Sequence, residues 1–166
     1  MKREDLYPSR QADRPQILER RDPVVHATDR TAGPLDRTSV DSYDHRGFLV
    51  LGGLFADDEL AVMREELDRL RAEAGTAEGD DLIREPGSES VRSIFRVHRS
   101  SPVFARLACD ARLVGAAEQI LGEPVYIHQS RLNYKPGFVG KEFYWHSDFE
   151  TWHVEDGMPR MRALSV

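Results

Sequence analysis

A chain of 166 residues can bury the core of one domain, and a balance of 40% apolar to 31% charged residues is that of a globular protein. A formal charge of −6 argues against a nucleic-acid partner, which calls for a basic face, but leaves room for an anion in a locally basic pocket. The opening MKREDLYPSRQADRP lacks the apolar stretch of a signal peptide, and nothing approaches the roughly 20 apolar residues that span a bilayer, so a cytoplasmic protein with no membrane partner is expected.

Residues 1–38 are rich in Arg, Asp and Pro, with apolar side chains only in ones and twos. Such a segment buries too little to offset its ordering entropy, which predicts an extended or partly disordered arm with room for a short helix around Gln16–Arg21. The folded domain is expected over 39–166. Val40, Tyr43 and Asp44 suit a short helix closed by Gly47, and Phe48-Leu49-Val50-Leu51 reads as a buried strand ended by Gly52-Gly53. A longer helix follows. Asp57 or Asp58 can cap it, Leu60, Met63, Leu67 and Leu70 form its apolar stripe, and Gly75 ends it.

Residues 76–90 are a polar loop, and Val91–Val97 reads as a strand. Ser101-Pro102 is an N-cap followed by proline at N1, opening a helix through Ala108. The sole cysteine, Cys109, excludes an internal disulfide; in the run VFARLAC it reads as a small buried hydrophobe rather than a nucleophile. Asp110 caps a second helix with Leu113, Ala117 and Ile120 on one face and Gly122 at its end. Beyond Pro124 strands are expected. Val125–Tyr134 alternates, with Val125, Ile127, Gln129, Arg131 and Asn133 on one face and Tyr126, His128, Ser130, Leu132 and Tyr134 on the other, so both faces mix polar and apolar groups. That suits a barrel wall lining a polar site, or an irregular edge strand. Lys135-Pro136-Gly137 makes a turn, and strands over Glu142–Ser147 and Arg160–Val166 flank a loop holding Gly157 and Pro159.

His146-Ser147-Asp148 is the one motif with metal chemistry. On a strand, residues i and i+2 share a face, so imidazole and carboxylate can converge on one ion, as two members of a two-His, one-carboxylate Fe(II) site. With six histidines in the chain, chance alone supplies roughly half such a match, and the alternative is a strand-end pair bonded to nearby backbone. The aromatic surroundings, Phe143-Tyr144-Trp145 and Phe149 to Trp152, favour a site shielded from water. Some of these rings, Tyr144 or Phe149, can equally be plain core, whereas Trp152 is the better wall.

The stretch FYWHSDFETWHVEDGMPRMRALSV resembles the signature region of ectoine hydroxylases, in the phytanoyl-CoA dioxygenase-like superfamily; LYPSRQ, ILERRDPVV, GFLVL and HQSRLNYKPGFVGKEF are similar too. The resemblance spans essentially the whole chain. It implies a mainly β chain with flanking helices, the N-terminal portion of a double-stranded β-helix (jelly roll). It also implies Fe(II) and 2-oxoglutarate, and conversion of ectoine and O2 to 5-hydroxyectoine, with release of succinate and CO2. Carried over by position, it puts Fe(II) on His146 and Asp148, and 2-oxoglutarate near Asn133, Lys135, Phe143 and Ser165. Gln129 and Trp152 then face ectoine. Gln129 can both donate and accept, and Lys135 offers a point charge to a dicarboxylate, although a solvated turn lysine and a chain-end serine are the plain readings of Lys135 and Ser165. Relatives of this type suggest a homodimer.

The resemblance implies a third ligand from a histidine far downstream of the pair, and a distal arginine for the 2-oxoglutarate carboxylate. Neither follows Asp148 here, and His128 and His153 are assigned no metal role. The expectation is therefore an incomplete jelly roll, truncated at the C-terminus, which alone binds Fe(II) poorly and turns over little. Two other readings remain: a hydroxylase of another small polar substrate, and a non-catalytic fragment or binding module.

Overall fold

Capping chemistry fixes most of the helices. In the computed structural model, which describes residues 5, 7–14, 16, 17, 19, 30, 32–75, 79–143 and 145–166, Asp36 accepts a hydrogen bond from the Ser39 N–H at 2.7 Å and opens α2 (Arg37–Arg46). Gly47 closes it in the left-handed region at φ 78°, its N–H donating to the Tyr43 carbonyl. The 18-residue α3 (Asp57–Ala74) starts one residue earlier than expected. Its cap is Ala56, whose N–H donates to the Glu59 carboxylate at 2.8 Å, while Asp57 and Asp58 lie in the first turn, where the helix dipole favours acids. α1 (Pro8–Gln11) precedes them both, with proline at its first turn.

The chain divides into two compact units, Arg30–Glu142 and the combination of Met1–Asp29 with Phe143–Val166. In the first, α3 is followed by β1 (Leu82–Arg84), β2 (Val91–Phe95), α4 (Val97–Ser100), α5 (Pro102–Ala108), α6 (Ala111–Leu121) and β3 (Arg131–Asn133). The strands form an antiparallel sheet in the order β1-β2-β3, in register Leu82 to Ile94 and Ile94 to Leu132. Its core is Leu70, Ala74, Val91, Ile94, Val97 and Phe104, with Leu67, Leu82, Leu107, Leu132 and Tyr134 packed against them. A second cluster joins Leu35, Val40 and Ala116. Gln119 stitches it together: its amide donates to the Arg30 and Leu35 carbonyls and accepts from the Leu35 N–H. Gly33 lies so close that an added Cβ would sit 2.7 Å from the Gln119 Cβ.

Two carboxylates are sealed into this unit. Glu66, on α3, receives a two-pronged hydrogen bond from Arg69 and a third from the Ser101 hydroxyl. Ser101 in turn caps α5 by accepting from the Phe104 N–H. The Arg69 guanidinium, with help from Ser101, holds the Glu66 carboxyl down at about 2 against the opposing effect of burial. Glu85, just after β1, is fully buried. One of its oxygens accepts from Arg92 at 2.9 Å and from the Lys141 N–H at 3.1 Å, while Arg92 also donates to the Glu142 carbonyl. Its other oxygen has no partner among the described residues.

The second unit holds α7 (Asp148–Val154) and α1. Tyr7, Ser9 and Arg10 reach His153, Glu150 and Thr151 of α7 and its C-cap, Glu155.

Several strand expectations fail. Phe48–Leu51, residues 125–130, the described part of 142–147 and all of Arg160–Val166 except a single bridge at Met161 are not strands. Each has a strand-like pattern, but a strand is made by its partner, and within Val125–Tyr134 only Arg131–Asn133 pairs with a described strand. Among the described residues helix therefore outweighs strand, so the α+β class expected from flanking helices holds, with a smaller β share than a mainly β chain calls for. Val91–Val97 ends as a strand at Phe95, because Arg96 turns the chain at φ 53° and Val97 begins α4. On α6 the buried positions are Ala116 and Gln119, with Leu113, Ala117 and Ile120 only half-buried. Cys109 is exposed rather than buried: it lies five residues beyond the buried Phe104, about 140° around the helix from it. Gln16, Ile17 and Glu19 are not helical; Leu18, Arg20 and Arg21, the rest of that expected helix, lie outside the described residues, as do positions 76–78. The expected polar loop over 76–90 instead holds β1, because Leu82–Arg84 pairs with β2.

A depressed carboxyl stabilises the fold above its unfolded value and loses that contribution as pH falls toward the folded one. Glu66 should therefore lend stability at neutral pH that fades between about pH 5 and pH 2. Glu66→Gln should cost about 1–2 kcal/mol at pH 7 and flatten the acid limb, read by urea unfolding across that range. Arg92→Ala should cost more, about 3–5 kcal/mol, because it strands the buried Glu85 carboxylate. The pair Glu85→Met with Arg92→Leu should recover most of that loss; equal loss in single and pair would exclude the stranded charge as the cause.

Candidate active site

The His-x-Asp motif lies at a corner where extended chain becomes helix, not on a strand. Ser147 has extended backbone (φ −111°, ψ 119°) and is the N-cap of α7, so Asp148 is the first helical residue. The i, i+2 argument for a strand face therefore does not apply. The corner nevertheless brings the two side chains together, with His146 Nε2 3.4 Å from Asp148 Oδ1. Both are partly open to solvent, at 39% and 38% exposure.

That spacing fits a shared metal. Two donors about 2.1 Å from one ion and at right angles stand about 3 Å apart, so a shift of a few tenths of an ångström would seat both. A neutral imidazole and a carboxylate are also the donor types of a non-haem Fe(II) site. Among the described residues no group of three His, Cys, Asp or Glu side chains is placed to hold an ion. His26 lies outside the described residues.

The other side chains of this unit have distinct surroundings. Phe149 is buried, at 5% exposure, and its ring stacks on His153 at 5.3 Å and 11°. That is the core role the sequence left open for it. His153 is on α7 rather than in a loop, and its Nδ1 is 2.7 Å from the Tyr7 hydroxyl, so that nitrogen is engaged away from any ion. Trp152 is half-buried four residues after Asp148, on the same helix face. Trp145 is fully exposed and Phe143 is 42% exposed, so neither walls the pair within this unit; Tyr144 lies outside the described residues. Ser165 is exposed.

Gln129, Asn133 and Lys135 belong to the other unit. Asn133 is on β3 opposite Ser93, whose hydroxyl donates to the Asn133 side-chain oxygen at 2.8 Å and so aims the amide N–H group away from Ser93. Lys135 is exposed at the predicted turn, which Gly140 N–H closes onto the Pro136 carbonyl at 2.9 Å. Gln129 is exposed and lies before β3 begins, so no strand puts it on one face with Asn133 or sets His128 opposite.

Sequence reasoning missed Ser93 and the Glu85–Arg92 pair. Glu85 sits in DDLIREPGSES, a run that reads as solvated loop, and no local pattern marks one carboxylate of it as buried. Ser93 shares a face with Val91 and Phe95 on a short strand, and only the cross-strand register reveals its partner.

Comparison with known proteins gives this geometry its context. Residues 43–166 match the phytanoyl-CoA dioxygenase (PhyH) family. The chain is 53% identical over 161 residues to the ectoine dioxygenase of Stutzerimonas stutzeri, covering 97% of this chain and 53% of that protein. It is 53% identical over 163 residues to the ectoine dioxygenase of Sphingopyxis alaskensis, covering 98% and 53%. It thus spans about half the length of the curated relatives it matches. Among solved structures it is similar to EctD from S. alaskensis with 2-oxoglutarate and 5-hydroxyectoine (TM-score 0.82, 52% identity, 96% of this chain and 56% of that one). It is also similar to EctD from that organism with bound Fe (TM-score 0.80, 52% identity, 96% and 57%). With three-quarters of its length matched and a close His–Asp pair at an α+β corner, this chain belongs to the phytanoyl-CoA dioxygenase family.

Proposed function

We propose that this chain is part of an Fe(II)- and 2-oxoglutarate-dependent dioxygenase that converts ectoine to 5-hydroxyectoine, consuming O2 and releasing succinate and CO2. The observation that carries the reading is the convergence of His146 Nε2 and Asp148 Oδ1 at 3.4 Å in a chain about half identical to ectoine dioxygenases over nearly all its length. Fe(II) bound there, with 2-oxoglutarate, would supply the O2 chemistry that side chains lack.

The chain's own residues position and shield. His146 and Asp148 are the residues that would hold the ion. The Asn133 amide, oriented by Ser93, donates to a 2-oxoglutarate carboxylate, and Lys135 supplies a positive charge to the same dianion. Phe143 covers its methylene chain, and the Ser165 hydroxyl offers a further hydrogen bond. Gln129 donates to the ectoine carboxylate and accepts from its ring N–H, while Trp152 is an apolar wall beside the ligand helix. The same reading makes residues 39–166 the N-terminal part of a jelly-roll domain preceded by an arm over 1–38, in a cytoplasmic homodimer. Among the described residues no helix is long and apolar enough to cross a membrane.

The test is turnover by the full-length protein supplied with Fe(II), 2-oxoglutarate and O2. Ectoine should gain one oxygen atom as succinate forms in equal amount, and proline should react far more slowly. Asp148→Ala and His146→Ala should each lower kcat/KM by more than about 100-fold, beyond the usual cost of an outer partner. Full activity in either variant, or preference for proline, would overturn the assignment.

A further inference from the structure

A metal ligand on a very short helix needs something to hold that helix. α7 has seven residues, two turns, whereas isolated helices shorter than about 12–15 residues are marginal in water. Ser147 gives it no side-chain cap. Apart from the burial of Phe149, the described side-chain contacts on α7 come largely from a segment some 140 residues earlier in the chain.

That segment is α1 with its cap, Tyr7. The Tyr7 hydroxyl lies 2.7 Å from His153 Nδ1, and the two rings meet edge to face at 5.8 Å. The same imidazole stacks on Phe149, the residue next to Asp148. Arg10 spreads its guanidinium over one face of α7, donating to Thr151 Oγ1 at 2.7 Å and to Glu155 at 2.6 Å, two positions one turn apart. Its Nε donates to Asp5 at 2.8 Å, which fixes the fork itself. The Ser9 hydroxyl donates to Glu150 in the first turn. Contacts at positions 150, 151, 153 and 155 define both the height and the rotation of the helix. Those two quantities decide where the Asp148 carboxylate stands relative to His146.

We infer that Tyr7–Gln11 is a clamp that positions the metal-ligand helix, with Tyr7 and Arg10 as positioning residues for the Asp148 carboxylate. Single exposed ion pairs contribute little, but a guanidinium engaged on three acceptors together with an aromatic hydroxyl on a buried ring stack is a network, and each member orients the next. The inference rests on the reading of His146 and Asp148 as iron ligands for its metal consequence, and on α7 alone for its structural one.

Two measurements on the full-length protein separate those parts. Amide exchange in α7 of the metal-free protein should speed up in Tyr7→Phe and Arg10→Ala, with the rest of the chain unchanged. In parallel, the Kd for Co(II), used as a spectroscopic stand-in for Fe(II), should rise about tenfold in each variant, with a changed visible spectrum of the bound ion. Arg10→Lys, which keeps the charge but loses the fork, should recover only part of the affinity. Unchanged α7 exchange in both variants overturns the clamp. Faster exchange with unchanged Co(II) affinity and spectrum overturns its role in metal positioning. A wild-type protein that binds no Co(II) or Fe(II) sinks the proposed activity instead, and the exchange result still decides the clamp.

Discussion

A carboxylate removed from water must be met by fixed donors, and the burial of Glu85 organises the stretch of chain that leads toward Phe143. Its partners are an arginine from β2 and a backbone N–H from residue 141, and the same arginine takes the carbonyl of residue 142. One ion pair therefore joins the end of β1, the middle of the sheet and the backbone just ahead of Phe143. The attraction is bought with desolvation, so the pair's worth lies in register and direction more than in net stability. Glu66 does the same for the helices, tying α3 to the cap of α5 through Ser101.

The His–Asp pair gains a different rationale from this arrangement. On a strand, its geometry would follow from the pleat and be held by a ladder of backbone bonds. At a coil-to-helix corner there is no ladder. The relative placement of the two donors then depends on the helix that begins at Asp148, and on whatever holds that helix. Donor identity is a local matter, whereas donor geometry is settled by residues far away in sequence.

Helices were the legible part of the sequence. Gly47, Ser101-Pro102 and Asp110 to Gly122 carry start or stop signals that act within one turn, so a local reading finds them, whereas the Asp36 cap goes unread inside the expected arm. Strands were legible only in part: Val91–Val97 reads as one and forms β2 as far as Phe95, whereas Phe48–Leu51 and Val125–Tyr134 look as strand-like and only pairing decides the outcome; Arg131–Asn133 succeeds since β2 lies alongside it. For the site, His146, Asp148 and Trp152 could be named from residue type and surroundings, but the helix α7 that carries Asp148 and Trp152 falls where a loop was expected. Ser93, Glu85 and the Tyr7–His153 contact could not, since each depends on a partner between 40 and 146 residues away or on burial that no nearby residue announces.

The exposure of Cys109 has a practical side. As the only thiol in this chain, at the outer end of α5, it offers a single attachment point for a fluorophore or spin label, far in sequence from His146 and Asp148. It also sets a limit on air oxidation. One accessible sulfur per chain can cross-link two copies and no more, so a disulfide-bonded species of this chain stops at the dimer. Sizing experiments on it belong in reducing buffer, where a covalent pair cannot pass for a native one.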